Sequence, residues 1–277
     1  MIKILITARN RLAITTKVIT ALIRHSSIPH KIFVYDNLTN YLVDEHFLYW
    51  SMLIQKGLIS QVTFNSKEST FNAFSKAVSC NSFGFSHEQD PERDKYDFLV
   101  FLDNDMILNP GWDTIIKKSW EDVNRLKLNN IKIITQLPGG IMKKHDFHEK
   151  IGGFSAKTGQ CGGSGFWCVK KNFFSDVGYL PIKNLINQNK KHDQNYWEIM
   201  CKLTRGKDYI MGIDTKLAMH CGSITGSLCN VLTKNKNTKE KNLNELIKFE
   251  AEEKRIDDMS FDEFYKEISK NKELYKW

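Results

Sequence analysis

One segment constrains this chain more than any other. In YDFLVFLDND (residues 96–105) an apolar run passes directly into two carboxylates separated by one residue, Asp103-Asn104-Asp105. An apolar stretch without polar alternation reads as a central parallel strand buried on both faces. Unpaired carboxylates are costly to bury, so two of them at the end of such a strand are not there for packing and require a cation. Hard oxygen donors select Mg2+ or Mn2+, ions that complete their shell with water and substrate phosphates. A DxD tripeptide by itself is common in loops; its place after the most apolar strand is what points to a phosphate-bridging metal site.

The preceding residues supply the frame for that strand. IKILITA (2–8) is a β-branched run, followed by Ile14, Val18, Ile19, Leu22 and Ile23 at helical spacing. KIFVYDN (31–37) repeats the strand pattern, Phe47, Leu48, Met52 and Leu53 recur at helical intervals, and QVTFN (61–65) is a third short strand. A β-α-β-α-β opening implies parallel strands with right-handed crossovers. In open sheets of this kind ligands bind outside the carboxyl ends of the strands, which is where Asp103 and Asp105 fall.

Beyond a helix carrying Trp112, Ile115, Ile116 and Val123, the pattern changes to IKIITQL (131–137), a glycine-bearing loop region from Gly139 to Gly165, FWCVKK (166–171) and DYIMGIDTKLAMH (208–220). Strands separated by long Gly/polar loops predict a mixed sheet. From about Asn230, KNKNTKEKN reads as a charged linker, and Leu243, Leu246 and Ile247, then Phe261, Phe264, Tyr265 and Ile268, predict two amphipathic helices. The expected organisation is an α/β domain over residues 1–229 and a helical extension over 230–277.

Composition excludes several classes. With 277 residues, 41% hydrophobic and 26% charged, the chain can build a substantial core and is neither collagen-like nor wholly disordered. No apolar run approaches the ~20 residues of a membrane span, and Thr7 and Arg9 interrupt the N-terminus too early for a signal-peptide core. The expected location is cytoplasmic. Cys80, Cys161, Cys168, Cys201, Cys221 and Cys229 contain no CxxC pair, which predicts reduced thiols rather than a disulfide framework or zinc ribbon. The net charge of +8 favours polyanionic partners, and the excess lies in the body, because acids match bases one for one from Lys234 to Trp277.

Several residues admit two readings from chemistry alone. Asp193 opens the helical segment DQNYWEIMCKL, where it is either an N-cap or a carboxylate kept ionised by the helix N-terminus. His220 follows KLAM and fits a core histidine or a ligand. Arg9 and Arg11 fit surface charges or phosphate contacts, and Trp167 fits burial or stacking on a sugar or base. His145 and His148 have helical spacing for a metal but read as solvated loop residues. Gly162-Gly163-Ser164-Gly165 precedes a strand and so is not a dinucleotide fingerprint.

Taken in order, IKILITARNR, KIFVYDN and YDFLVFLDNDMILNPGWDTII resemble the nucleotide-sugar half of GT-A fold glycosyltransferases, particularly the large family-2-like group. GGSGFWCVKKNFFSDVGYLP resembles that family's acceptor-side segment, HDQNYWEIMCKLTRG its acidic helix start and AMHCGS its late histidine, so the resemblance spans about residues 1–225. It implies a Rossmann-like mixed sheet flanked by helices, and a metal-dependent, inverting transfer from a nucleoside-diphosphate sugar, a UDP-sugar foremost, to a glycan or other hydroxyl acceptor. It further implies that Thr7, Arg9 and Asn10 lie beside the nucleotide and that Asp36 meets the base or ribose. Asp103 and Asp105 would hold the ribose and the Mn2+ or Mg2+ bridging the diphosphate, His220 would add a metal or phosphate contact, and Asp193 would be the general base. The family usually has an acid just before the base, where this chain has His192.

Three rivals remain at this level. The acceptor could be a hydroxylated base of nucleic acid, flipped from its stack, a reading the basic body fits. A sugar-1-phosphate nucleotidyltransferase would share the acidic metal site, but TARNRLAITT lacks the glycines of its nucleotide loop. A catalytically inert sugar-binding module would not need both the acidic tripeptide and Asp193.

Overall fold

The computed structural model describes residues 1–36, 43–64, 95–136, 150–153, 156–159, 165–173, 210–213, 217–221 and 239–270. Along the chain these form β1 (Ile2–Ala8), α1 (Leu12–His25), β2 (His30–Asp36), α2 (Val43–Gln55), β3 (Gln61–Phe64), β4 (Phe98–Asp103) and β5 (Met106–Leu108). There follow α3 (Trp112–Arg125), β6 (Ile133–Gln136), β7 (Ala156–Gly159), β8 (Phe166–Lys170), β9 (Ile210–Ile213), β10 (Ala218–His220), α4 (Lys239–Asp258) and α5 (Phe261–Lys270).

An eight-stranded mixed sheet runs β3-β2-β1-β4-β8-β6-β9-β7, and β5 pairs with β10 in a separate two-stranded sheet. β1 is buried along its whole length because it is parallel to β2 on one side and to β4 on the other. The registers Ala8↔Asp36 and Thr7↔Asp103 bring the carboxyl ends of these three strands level. Since the chain winds outward from β1 through β2 to β3 and then returns to β4 on the opposite side, the junction of β1 and β4 is the topological switch point, the place where open α/β sheets bind their ligands. β8 then pairs antiparallel with β4, which makes the sheet mixed, as the Gly-rich loops predict.

One face of the sheet carries the main apolar cluster. Ile2, Ile4, Ile6, Ile32, Val34, Val100 and Leu102 meet Ile14, Val18 and Leu22 of α1 and Trp112, Ile116, Trp120 and Val123 of α3. The spacing in α3 leaves a single apolar stripe on an otherwise polar helix, which fixes the face it turns to the sheet. The same cluster takes in Ile256 of α4 and Phe261, Phe264 and Ile268 of α5. The C-terminal helices are thus packed against α1.

Four local features differ from the sequence reading. α2 exists, but Phe47 and Leu48 are 57% and 67% exposed while His46, Trp50 and Leu53 are buried; the fall of the helix onto β2 is fixed by Trp50, the largest of these side chains. Within the region read as loop from Gly139 to Gly165, Ala156–Gly159 pairs with β9 as an edge strand. Lys239 to Asn242, read as linker, already belong to α4. Met106–Leu108 becomes a strand only because β10 lies alongside it. Cys168 and Cys221 are free buried thiols, and burial pushes Cys168 up to about 12; the other four cysteines lie outside the described residues. Among the described residues no helix is long and apolar enough to cross a membrane.

Candidate functional site

The loop joining β1 to α1 lies at the carboxyl end of β1, beside the switch point. Asn10 and Arg11 both have left-handed backbones, φ 52 and φ 56, a conformation that costs non-glycine residues about 1–2 kcal/mol each. The loop holds because its carbonyls are tied down. Asn104 Nδ2 donates to Asn10 O at 3.3 Å and to Thr15 Oγ1 at 2.9 Å, and Thr15 Oγ1 donates to Arg11 O at 2.8 Å. The middle residue of Asp103-Asn104-Asp105 thus fixes the loop that faces the two acids.

The acids occupy different settings. Asp103 ends β4, and its Oδ1 accepts the Thr7 hydroxyl at 3.1 Å across the switch point. Asp105 is buried, its Oδ2 bound by Arg11 Nη1 at 2.6 Å and lying 3.3 Å from His220 Nε2. His220 reaches this point because β10 pairs antiparallel with β5 in the register His220↔Met106, with the Cys221 amide donating to Asp105 O at 2.7 Å. β8 must approach closely as well: a Cβ on Gly165 would stand 2.8 Å from Met106 Sδ.

Charge pairing determines protonation here. Burial alone would raise the Asp105 pKa, but the hydrogen bond from His220 and the charge of Arg11 outweigh it and hold the carboxyl well below the usual range. Burial would likewise lower the His220 pKa, yet the hydrogen bond to Asp105 and the charges of Asp105 and Asp103 raise it. The site therefore holds an ionised carboxylate between the Arg11 guanidinium and the His220 ring.

Thr7, Asp103, Asp105 and His220, separated by up to 213 positions, are brought together at one end of the sheet. Arg9 is partly exposed on the same loop, and Asn10 is 1% exposed, contributing its carbonyl to Asn104. Asp36 lies at the same end of the sheet on the far side of β1. Its side chain is 1% exposed and turned into the packing of β2 on α2, where Oδ2 accepts Trp50 Nε1 at 2.9 Å. Trp167 is fully buried and stacked on Phe101 with ring centroids 3.9 Å apart, so packing accounts for it. Asp193, His192, His145 and His148 lie outside the described residues.

The residues present fit a Mg2+- or Mn2+-type ion. Asp105 Oδ1 is buried without a hydrogen-bond partner among the described residues, and Asp103 supplies a second hard carboxylate two positions away. No group of three or more His, Cys, Asp or Glu side chains converges among the described residues. Such a group is not required, since these ions are usually held by one or two carboxylates plus water and substrate phosphates.

Sequence reasoning did not anticipate Glu253. This residue of α4 accepts the Ala13 amide at 3.0 Å in the first turn of α1, bracing the loop from 240 positions away. A glutamate in an acid- and lysine-rich helix carries no local signal of that role. Arg11 was legible only as one of two arginines after β1, not as the partner of Asp105.

No protein-family model and no curated protein sequence matches the chain. Among solved structures it is similar to S. aureus TarS residues 1–349, at TM-score 0.50 and 11% identity over 91% of this chain and 71% of that one. It is also similar to GalNAc-T7 in complex with UDP, GalNAc and Mn2+, at TM-score 0.52 and 12% identity over 78% of this chain and 43% of that one. The chain thus spans less than half of the GalNAc-T7 chain. At these identities the likeness establishes architecture: the fold is the GT-A type, as the order of sequence segments implies.

Proposed function

We propose that this protein is a metal-dependent glycosyltransferase that moves a sugar from a nucleoside-diphosphate donor, a UDP-sugar foremost, to an acceptor hydroxyl. The observation that carries the reading is the convergence of Thr7, Arg11, Asp103, Asp105 and His220 at the β1/β4 switch point of a GT-A fold, with one buried oxygen of Asp105 lacking a hydrogen-bond partner among the described residues. The UDP, GalNAc and Mn2+ in the similar GalNAc-T7 structure support the donor class and the ion.

In this reading Asp105 and Asp103 hold the cation, with His220 beside them, and Thr7 orients Asp103 through its hydroxyl. A bound divalent ion would neutralise charge developing on the departing diphosphate as the anomeric bond breaks. Thr7, Arg9 and Asn10 form the loop beside the nucleotide, and Arg9 offers the diphosphate a charged donor. Asp36 is assigned to ordering α2 at the crevice edge through Trp50. Asp193 is assigned as the general base that takes the acceptor hydroxyl's proton, which makes the transfer inverting.

Thermal-shift titration with Mn2+ and a panel of UDP-, GDP-, CMP- and dTDP-sugars tests the reading, because a bound donor stabilises the fold by mass action. A Mn2+-dependent shift with one nucleotide class is expected. No shift with any donor, or equal shifts in EDTA, overturns it.

A further inference from the structure

We infer that Arg11 is the resident counter-cation of Asp105 and exchanges with the divalent ion, so that its departure is a condition of metal binding. This rests on the metal role of Asp105 proposed above. Both residues are buried, their side chains each 11% exposed, and Arg11 Nη1 lies 2.6 Å from Asp105 Oδ2. A buried carboxylate at this position would be severely destabilising without a cation. The guanidinium supplies one.

The same pairing opposes a metal. A divalent ion on the Asp105 carboxylate and a guanidinium in contact with it are like charges in a site of low solvent access, where repulsion is only weakly screened. His220, on the same oxygen at 3.3 Å, adds to that repulsion when protonated. Arg11 and the ion are therefore alternatives.

Local structure decides which part of Arg11 moves. Its carbonyl is fixed by Thr15 Oγ1 and that of its neighbour Asn10 by Asn104 Nδ2. The following turn is braced by Glu253 through the Ala13 amide. The backbone is anchored, so exchange is a swing of a long side chain about a fixed Cα. A guanidinium released beside the first-strand loop is well suited to pair with phosphate oxygens, so ion entry would deliver a cation to a diphosphate.

The test uses the full chain, stripped of metal and free of nucleotide, titrated with Mn2+ while free ion is followed by electron paramagnetic resonance. Wild type, R11Q, D105N and the double variant are compared at pH 7.5, with melting curves to verify folding. R11Q should bind Mn2+ about tenfold tighter or more than wild type, and D105N should remove that binding in both backgrounds. Equal or weaker binding by R11Q, with D105N still abolishing it, overturns the exchange and leaves the metal role of Asp105 intact. Binding that D105N does not alter overturns the metal role and the exchange with it, and no binding by any of the proteins, R11Q included, overturns the exchange.

Should R11Q fail to fold, the wild type answers alone. Phenylglyoxal modification mapped by peptide mass spectrometry should speed up several-fold at Arg11 when Mg2+ is added, with Arg24 and Arg255 unchanged. An Arg11 rate that stays constant or falls at saturating Mg2+ overturns the inference.

Discussion

Replacing Glu253 by Gln isolates what a buried carboxyl beneath the site loop does to stability. Glu253 is 6% exposed; its Oε2 accepts the Ala13 amide, and its Oε1 is buried with no hydrogen-bond partner among the described residues. Burial pushes its pKa from 4.5 up to about 7, against the pull of the Ala13 amide and Arg11 and with a further push from Asp257 and Glu252. The folded protein therefore holds this proton more tightly than the unfolded chain. Stability is lost as pH rises from the unfolded value near 4.5 to the folded value near 7, and is level with respect to this group above and below that window. The full loss is about 3 kcal/mol, of which about 2.5 kcal/mol falls between pH 5 and pH 8. In E253Q the amide oxygen can still accept from Ala13, but there is no proton to lose. Burying its NH2 costs on the order of 1–3 kcal/mol at every pH, a constant that cancels when the two pH profiles are compared. Urea melts of both proteins at pH 5 and pH 8 should show wild type losing about 2.5 kcal/mol relative to the variant, and thermal melts a change of about 4 °C in their difference in Tm. Parallel profiles would refute the argument and show that Glu253 is solvated in the folded protein.

Four further outcomes follow from the site. Asp105→Asn should abolish Mn2+-dependent donor binding in a calorimetric titration, while Asp103→Asn should weaken it, because Thr7 still holds the side chain in place. Asp193→Asn should lower transfer by roughly 10²-fold with donor affinity and Tm unchanged; near-normal turnover in a radiolabelled transfer assay would reduce Asp193 to a helix cap. Trp50→Phe removes the indole donor from the buried Asp36 and should cost about 2 kcal/mol in a urea melt; an unchanged midpoint would mean that Asp36 does not rely on that bond. If the +8 body serves a nucleic-acid acceptor, duplex binding in a gel shift should fall steeply with salt, whereas no binding at low salt removes that acceptor.

The sequence by itself determined the parallel half of the sheet and the end of it that matters. β1, β2 and β4 are legible because a strand buried on both faces must be apolar throughout, β3 is legible only as a short run holding Val62 and Phe64, and Asp103-Asn104-Asp105 is legible because acids cannot follow a strand like β4 without a chemical reason. The apolar stripes of α3 and α5 were legible for the same reason, since helical burial imposes a period of 3.6 residues; α4 was legible as a helix, but Ile247 of its expected stripe is 52% exposed and Phe249 and Ile256 are buried instead. What the helices touch was not. Phe47 and Leu48 carry the helical spacing but face outward, because the rotation of α2 is decided by where Trp50 meets β2 and not by its own pattern. β5 and β10 are three residues each, too short to show a period, and exist as strands only through each other. The pairing of Asp105 with Arg11 and His220 joins positions 94 and 115 residues apart, and the Glu253 brace joins positions 240 apart. Single ionisable residues carry no periodic signal: each looks the same in sequence whether it meets water or an opposite charge, and only the closing of the chain on itself decides which.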